Sequence, residues 1–358
     1  MVDAKIISGQ RLLFFPERNQ IVLKKKMADT IALGSELNNV ACVVKGDVCH
    51  LTPAISDAGD LDRLKELKKG ILTLVEKHDV KPKIIVCDKH PGFQTKALAK
   101  ELADKYGAIL KPVQHHHAHV ASVALEHGLD DYVGIACDGL GYGEDDNIWG
   151  GEVFDVKVNG FRRIGHLEEQ YQLGSDAATI DPRKMLISIL SRFLDEENII
   201  RLGILDSDIV RVLLRQLDQN FNTPKTTSTG RVLDAAGAFL GLHDKKLSTA
   251  ILLDNLATEP YEIDPIINSG ILMTTPIFEF LYNNRKKDNG RLAATVLIYI
   301  AKGLYELARR GKPIVFSGGV AYNSIITSYM LKKKVLLNKN VPPGDPGICL
   351  GQAYIANS

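Results

Sequence analysis

The chain is poor in cysteine, nearly without net charge and free of long apolar runs, and each shortage excludes something. Its five cysteines, Cys42, Cys49, Cys87, Cys137 and Cys349, are odd in number and no two stand as C-x-x-C. That excludes a zinc ribbon or a dithiol redox motif and fits a reducing compartment. Lysine and arginine number 44 against 43 aspartates and glutamates, a formal net charge of +1. Such a balance argues against a general nucleic-acid or membrane-surface binder, so neither nucleic acid nor membrane is expected as a partner. No stretch reaches the roughly 18 uninterrupted apolar residues of a membrane span, and MVDAKIISGQRLLFF has no apolar core followed by a small-residue cleavage site. The expectation is a cytoplasmic protein. Low-complexity tracts and repeats of about 20–50 residues are also absent.

What is there is ordinary globular material. With 45% hydrophobic and 24% charged residues, 358 residues fill one or two cores without help from disulfides or a structural metal. Residues 1–29 read as an irregular N-terminal extension with a basic KKK at 24–26. From Thr30, the segments IALGSEL, NNVACVVKG and DVCHLTP read as three short strands. LDRLKELKKGILTLVEKH then shows helical spacing behind Asp60 as N-cap, followed by strand KIIVCD, helix TKALAKELADKYG, strand AILKPV and helix HHHAHVASVALEHG. A second round starts at Tyr132: strand YVGIACDG, then IWGGEVFDVKV and FRRIGHLEE as a meander. Helices follow through about 170–290, among them ATIDPRKMLISILSRFL, and then come strand PIVFSGG, a helix from Val320, strand KVLLN and helix GICLGQAYIA. Periodicity alone gives α/β with an insertion. The order of elements is that of two ribonuclease H-like lobes of the actin, Hsp70 and sugar-kinase (ASKHA) type, which face each other across a cleft where turns can hold nucleotide phosphates. The expected boundaries are 30–129 for the first lobe and 130–345 for the second, with the closing helix 346–358 a candidate to return to the first.

Four segments can carry chemistry. QHHHAHVAS places four of the ten histidines within five residues, and His115 and His119, at i and i+4, share one helix face and can grip one ion. His116 and His117 point elsewhere, as supports or substrate contacts. Asp138 ends a buried strand before a glycine turn, a position at the mouth of a cleft, while Gly139, Gly141, Gly143, Gly150 and Gly151 allow close backbone approach to an anion. Asp145 and Asp146 read as solvated turn residues. Ser317, Gly318 and Gly319 precede a helix and offer backbone N–H groups to an anion or nucleotide, with Asn323 placed to bond a ribose or base. Asp345 sits in a loop stiffened by Pro343 and Pro346. Each also has a plain structural reading: solvated imidazoles at a helix start, a turn-capping aspartate, a glycine strand-to-helix turn, an N-cap. Two imidazoles with two carboxylates form a mixed N/O donor set suited to Fe(II), Zn(II) or Mn(II).

Together, QHHHAHVAS, ACDGLGYG…IWGGEVF, SGGVAYN and PPGDPGICLGQ resemble the C-terminal carbamoyltransferase (Kae-like) domain of the hydrogenase-maturation protein HypF. ALGSELNN and CDKHPGFQTKALAKELA extend the match to roughly residues 31–358. The resemblance implies two actin-like lobes with a metal and an adenine nucleotide in the cleft, passing a carbamoyl group from carbamoyl-adenylate to a cysteine thiol on a partner protein. It implies His115, His119, Asp138 and Asp345 as ligands of Fe(II) or Zn(II). Gly150, Gly151, Glu152, Gly318, Gly319 and Asn323 match residues that line the nucleotide site, beside Gly139 and Gly141. Relatives of this family include antibiotic O-carbamoyltransferases and tRNA threonylcarbamoyltransferases.

The departures bear on the substrate site. Full-length relatives carry acylphosphatase, zinc-finger and adenylate-forming domains, none of which is recognisable in these residues, so a separate adenylate-forming protein is expected to supply the donor. Asn38 stands where the family has lysine, Lys184 in an arginine place and Lys246 where an acid is expected, while STGRVLDA at 228–235 is retained. Lysine is a point charge and does not replace an arginine fork without loss. Three readings follow: carbamoyl transfer to a protein thiol; transfer to a small-molecule hydroxyl or a tRNA-type acceptor; and a non-catalytic module that binds nucleotide and metal.

Overall fold

The computed structural model describes residues 19–158, 160–242 and 249–358. Lys246 lies outside them. The first lobe runs β1 (Gln20–Ala32), β2 (Leu37–Asn39), β3 (Cys42–Leu51), β4 (Ile55–Asp57), α1 (Leu61–Lys77), β5 (Ile84–Asp88), α2 (Gln94–Tyr106), β6 (Ile109–Val113) and α3 (His115–His127). Its sheet has the order β3-β1-β5-β6, antiparallel at β3/β1 and parallel thereafter. Successive residues of a strand face opposite ways. Ile31, Ile85 and Cys87 therefore pack with Leu67 and Ile71 of α1 and Leu98 and Leu102 of α2, while Ala32 and Val86 pack with Ala118 and Val120 of α3. The sheet is covered on both faces, which is why β5 reads IIVCD with every residue buried.

The second lobe opens with β7 (Tyr132–Tyr142), β8 (Ile148–Lys157) and β9 (Gly160–Leu167), an antiparallel meander. The helical segment holds β10 (Gln170–Tyr171), α4 (Ala177–Ile180), α5 (Pro182–Leu190), α6 (Glu196–Arg201), α7 (Ser207–Asp218), β11 (Lys225–Thr226), α8 (Thr229–Phe239) and α9 (Thr249–Leu256). After β12 (Ile267–Asn268), β13 (Ile271–Leu272) and α10 (Thr275–Asn283), the long α11 (Asn289–Ala308) crosses the sheet. Next, β14 (Ile314–Ser317) joins β7 in parallel, from Ile314↔Val133 to Ser317↔Ala136. The chain closes with α12 (Ser324–Lys332) and α13 (Ile348–Ala356).

Helix α3 is the pivot. It lies between the two sheets, with twelve of its residues, His115 through Glu126, buried. A Cβ on Gly134 of β7 would stand 2.7 Å from Val120, and one on Gly351 of α13 would stand 1.8 Å from the Ala118 carbonyl oxygen. α13 ties back to the first sheet as well: the Gln352 side chain accepts from Gly34 N at 2.9 Å and donates to Gly34 O at 3.0 Å.

The elements depart from the sequence pattern in several places. The first strand begins at Gln20, inside the stretch read as an extension, and pairs from Gln20↔His50 to Ala32↔Cys42. NNVACVVKG and DVCHLTP contribute to one strand, β3, because Gly46 takes a positive φ of 61° opposite Met27 and forms an irregularity within the ladder instead of a turn. The helix expected over ATIDPRKMLISILSRFL breaks at Asp181, which adopts extended backbone and caps α5 ahead of Pro182. KVLLN forms only a parallel bridge, Val315↔Leu336. After Ser317 the chain makes a 3-10 turn, Gly319–Tyr322, and α12 starts only at Ser324, capped by Asn323.

Candidate metal centre and the adjoining cavity

The first turn of α3 is fixed by Gln114, whose side-chain oxygen accepts from His117 N at 2.8 Å. That cap sets the helix phase, so His115 and His119 project together toward the end of β7. There the Asp138 Oδ2 atom lies 3.3 Å from His115 Nε2 and 2.9 Å from His119 Nε2. Asp345, in the 3-10 turn before α13, brings Oδ1 to 3.7 Å from His119 Nε2. One donor atom from each of these four residues lies within 4.8 Å of all the others. Donors about 2.1 Å from one Zn(II)-like ion stand roughly 3–4 Å apart, so the spacing fits a single shared ion. The structure brings together the four residues that the sequence pattern nominates.

It adds a fifth residue that the sequence pattern does not single out. Asp88, the last residue of β5, places Oδ2 2.7 Å from His115 Nδ1 and accepts from His90 N at 2.9 Å through its other oxygen. A carboxylate on Nδ1 holds that nitrogen protonated, so that Nε2, once it gives up its own proton, would turn its lone pair inward, the arrangement that orients histidine ligands. The signal available in the sequence is the same as for Asp138: an aspartate at the C-terminal end of a buried strand.

Charge in this cluster is held by mutual pairing. Burial opposes an imidazolium at His115, but the carboxylates of Asp88, Asp138 and Asp345 outweigh it and hold its pKa well above the usual value. Burial likewise opposes a charged Asp138, and hydrogen bonds from His115 and His119 overcome that and pull it well below the carboxylate range. Burial and the Asp138 charge push Asp345 up to about 6. A divalent ion would neutralise these carboxylates in place of protons, so the donor set fits the cation that its chemistry suggests.

Behind Asp138 the described residues enclose a second space of about 130 Å³, lined by Gly139, Arg231, Asp234, Gly319 and Asn323 among others. Asp138 stands beside it: Oδ2 faces the histidines, while Oδ1 accepts from Gly139 N at 2.7 Å and would lie 2.9 Å from a Cβ on Gly319, and both glycines line the space.

The remaining nominated residues are placed differently. Gly141 is packed against His116, and Gly150 and Gly151 against the backbones of Asp138 and Thr227, so none of the three has room for a side chain. Glu152 does not face the cavity. Its buried carboxylate accepts from Gly150 N and Gly151 N at 3.1 Å each and pairs with Arg163 Nε at 2.6 Å, latching β8 to β9. Gly318 spends its N–H on Pro343 O at 2.8 Å. Its φ of 105° and a would-be Cβ 2.1 Å from Cys137 O explain why glycine stands there. Asn323 lines the cavity, but its side-chain oxygen accepts from Ile326 N at 2.9 Å, leaving the amide NH₂ for a ligand. Lys184 sits in the first turn of α5, near Gly174, and is not among the residues lining the cavity. Neighbouring Arg183 is bound to Asp181 through two bonds of 2.8 Å.

Asn38 is exposed at a φ of 45°, a conformation asparagine tolerates better than lysine does. His117 packs on Phe161 at 4.3 Å, away from the four donors, and burial with nearby Lys89 pushes its pKa down to about 3. Asp145 and Asp146 are exposed in the turn after β7, as their sequence position suggests, and each also accepts a bond, Asp145 from Trp149 Nε1 at 2.7 Å and Asp146 from the Tyr142 hydroxyl.

Family models match along nearly the whole described chain. Residues 25–126 match the HypF Kae1-like domain and residues 134–352 match the second subdomain of the Kae1-like carbamoyltransferase domain. The chain belongs to the HypF Kae1-like family. It is 39% identical to the probable carbamoyltransferase HypF of Methanocaldococcus jannaschii, over 96% of this chain and 48% of that one. It is 29% identical to a carbamoyltransferase HypF homolog of Cupriavidus necator, over 92% of this chain and 91% of that one. Full-length HypF in a phosphate- and nucleotide-bound form superposes with a TM-score of 0.86 at 28% identity, covering 96% of this chain and 48% of that one. HypF of T. kodakarensis gives the same score and identity, covering 49% of its chain. This chain thus spans about half the length of most of the HypF relatives it matches, and its two lobes are of the actin/Hsp70 type.

Proposed function

We propose that this chain is the transfer half of a carbamoyltransferase. It moves a carbamoyl group from carbamoyl-adenylate to a cysteine thiol on a partner protein, as in NiFe-hydrogenase maturation, with the donor made by an adenylate-forming protein. The observation that carries the reading is an adjacency at the end of β7, where Asp138 belongs to a four-donor metal centre and the next residue, Gly139, lines a small cavity. A donor with a carbonyl at one end and an adenylate phosphate at the other has that bipartite shape.

His115, His119, Asp138 and Asp345 would hold Fe(II) or Zn(II), which when bound supplies a Lewis acid for a carbonyl oxygen. What the protein itself contributes is position. Asp88 fixes the His115 ring. Glu152 and Arg163 stiffen the strand behind the Gly150–Gly151 step. The 3-10 turn that begins at Gly319 supplies Gly319 and Val320 to the cavity wall. Among the described residues all five cysteines are buried, which suits an acceptor thiol that comes from another molecule.

The test is calorimetric titration of AMP and ATP into protein reconstituted anaerobically with Fe(II) or Zn(II), beside a metal-free control. Metal-dependent binding in the micromolar range is expected. A filled metal site with no nucleotide binding would overturn the reading in favour of a module that keeps its ion and has no adenylate donor.

A further inference from the structure

His117 has a setting that neither the metal centre nor its adjoining cavity explains. It lies on the face of α3 turned away from His115 and His119, in line with Ala121 one turn on. There the described residues enclose a separate space of about 340 Å³, between α3, the β8–β9 hairpin and the end of α13. His117 is 6% exposed and Tyr132, the first residue of β7, is 1% exposed, and both line this space. Neither the His117 ring nitrogens nor the Tyr132 hydroxyl has a hydrogen-bond partner among the described residues, yet neither group is shut off from the cavity.

Buried polar side chains ordinarily find partners, and two that face one cavity without any call for something that completes them. Their neighbour Tyr354 is already engaged, since its hydroxyl donates to Asp130 Oδ1 at 2.5 Å. The walls beside them, Ala121, Val156 and Ile355, are apolar. The charged side chains that line the space, Asp130 and Lys157, are both exposed at its rim. A charge carried to the inner end would lose its water and meet no opposite charge, whereas an imidazole and a phenol can each donate and accept. The volume is at the low end of the roughly 300–1,000 Å³ of small-molecule sites.

We infer that this cavity is a binding site for a small, uncharged molecule with an apolar body and a polar group that both donates and accepts hydrogen bonds, as a carboxamide does. His117 and Tyr132 bond the polar group, and Ala121, Val156 and Ile355 hold the body. The occupant lies against the back of the helix that presents His115 and His119. The site stands apart from the function proposed above, because no step of the transfer passes through it.

The probe is para-fluorobenzamide, titrated into the full chain and followed by its fluorine resonance. Its controls are para-fluorotoluene, which lacks the amide, and para-fluorobenzoate, which carries a charge. Millimolar or tighter binding of the amide is expected, stronger than either control by about 2–12-fold for each hydrogen bond formed. Tyr132→Phe removes a hydroxyl that has no partner among the described residues. It should lower amide affinity by that factor, leave para-fluorotoluene binding unchanged and not lower the unfolding midpoint. A tyrosine with a purely structural role would do the reverse. Val158→Trp, at a rim position 55% exposed, should block all three probes and decides the matter if the Phe variant fails to fold. A native chain that does not bind the amide would show the cavity to hold water alone and overturn the site. Equal affinity for the three probes, or amide binding unmoved by both substitutions, would overturn it as well.

Discussion

At the scale of single residues, Asp138 joins the two halves of the site and Asp88 supports one of them. The two Asp138 oxygens serve different neighbours, since one faces two imidazoles and the other accepts from the Gly139 amide. Asp138→Asn should therefore weaken metal and nucleotide binding together, and two titrations with clearly separable effects would contradict this. Asp88 touches neither ligand directly. Losing a carboxylate that orients a histidine ligand typically costs 10–100-fold in metal affinity. Asp88→Asn should lower Zn(II) affinity by about that order, measured against a competing chelator, while AMP affinity at saturating metal stays within a few-fold. His119→Ala should remove most of the bound metal and leave the fold intact, and elemental analysis of the folded variant checks it. Unchanged metal content would remove His119 from the ligand set.

At the scale of elements, α3 is held by close approaches that leave no room for added atoms. Gly351→Ala would drive a methyl group into the Ala118 carbonyl, on the face of α3 where α13 crosses. Backbone cannot yield as a flexible side chain does, so the cost should meet or exceed the usual 1–3 kcal/mol or so of overpacking. Denaturant unfolding would read it as a lower midpoint, and an unchanged midpoint would mean the two helices are free to separate. The same elements explain what the sequence could and could not reveal. The His-rich helix, the strand ending in Asp138 and the Pro-pinned Asp345 are legible because each is a local pattern with a fixed direction. Their meeting follows only once the two-lobed order is recognised. Asp88 ends a buried strand as Asp138 does, but its turn glycine, Gly92, comes four residues later instead of immediately after it, so the pattern is weaker. Glu152 and the Gly150–Gly151 pair are legible as special but not in kind: their partners, Arg163, Thr227 and Asp138, come from three other segments, so packing and ligand contact look alike in one dimension. The start of β1 is hidden by its lysines, which sit on exposed positions of a strand whose other face is buried.

At the scale of the whole molecule, the four donors come from separate parts of the fold: two from the helix between the sheets, one from the central strand of the second sheet, one from the turn leading into the helix tied to the first. The cores behind them are large and apolar, among them Phe154, Phe278, Tyr299 and Phe316 buried to less than 2% exposure. The protein should therefore fold without its ion and be stabilised by it as a ligand, not as a keystone. An ion at 100 times its dissociation constant adds about 2.7 kcal/mol. With an unfolding entropy of roughly 2.1 cal/mol/K per residue, that is a shift of about 3–4 °C for a chain of this size. Thermal scans of chelator-treated and Zn(II)-loaded protein should differ by that order, with the far-ultraviolet circular dichroism of the two forms superposable below the transition. A metal-free form that has already lost its secondary structure would show the ion to be structural. Equal midpoints at saturating Zn(II) would mean the four donors do not bind it as one centre.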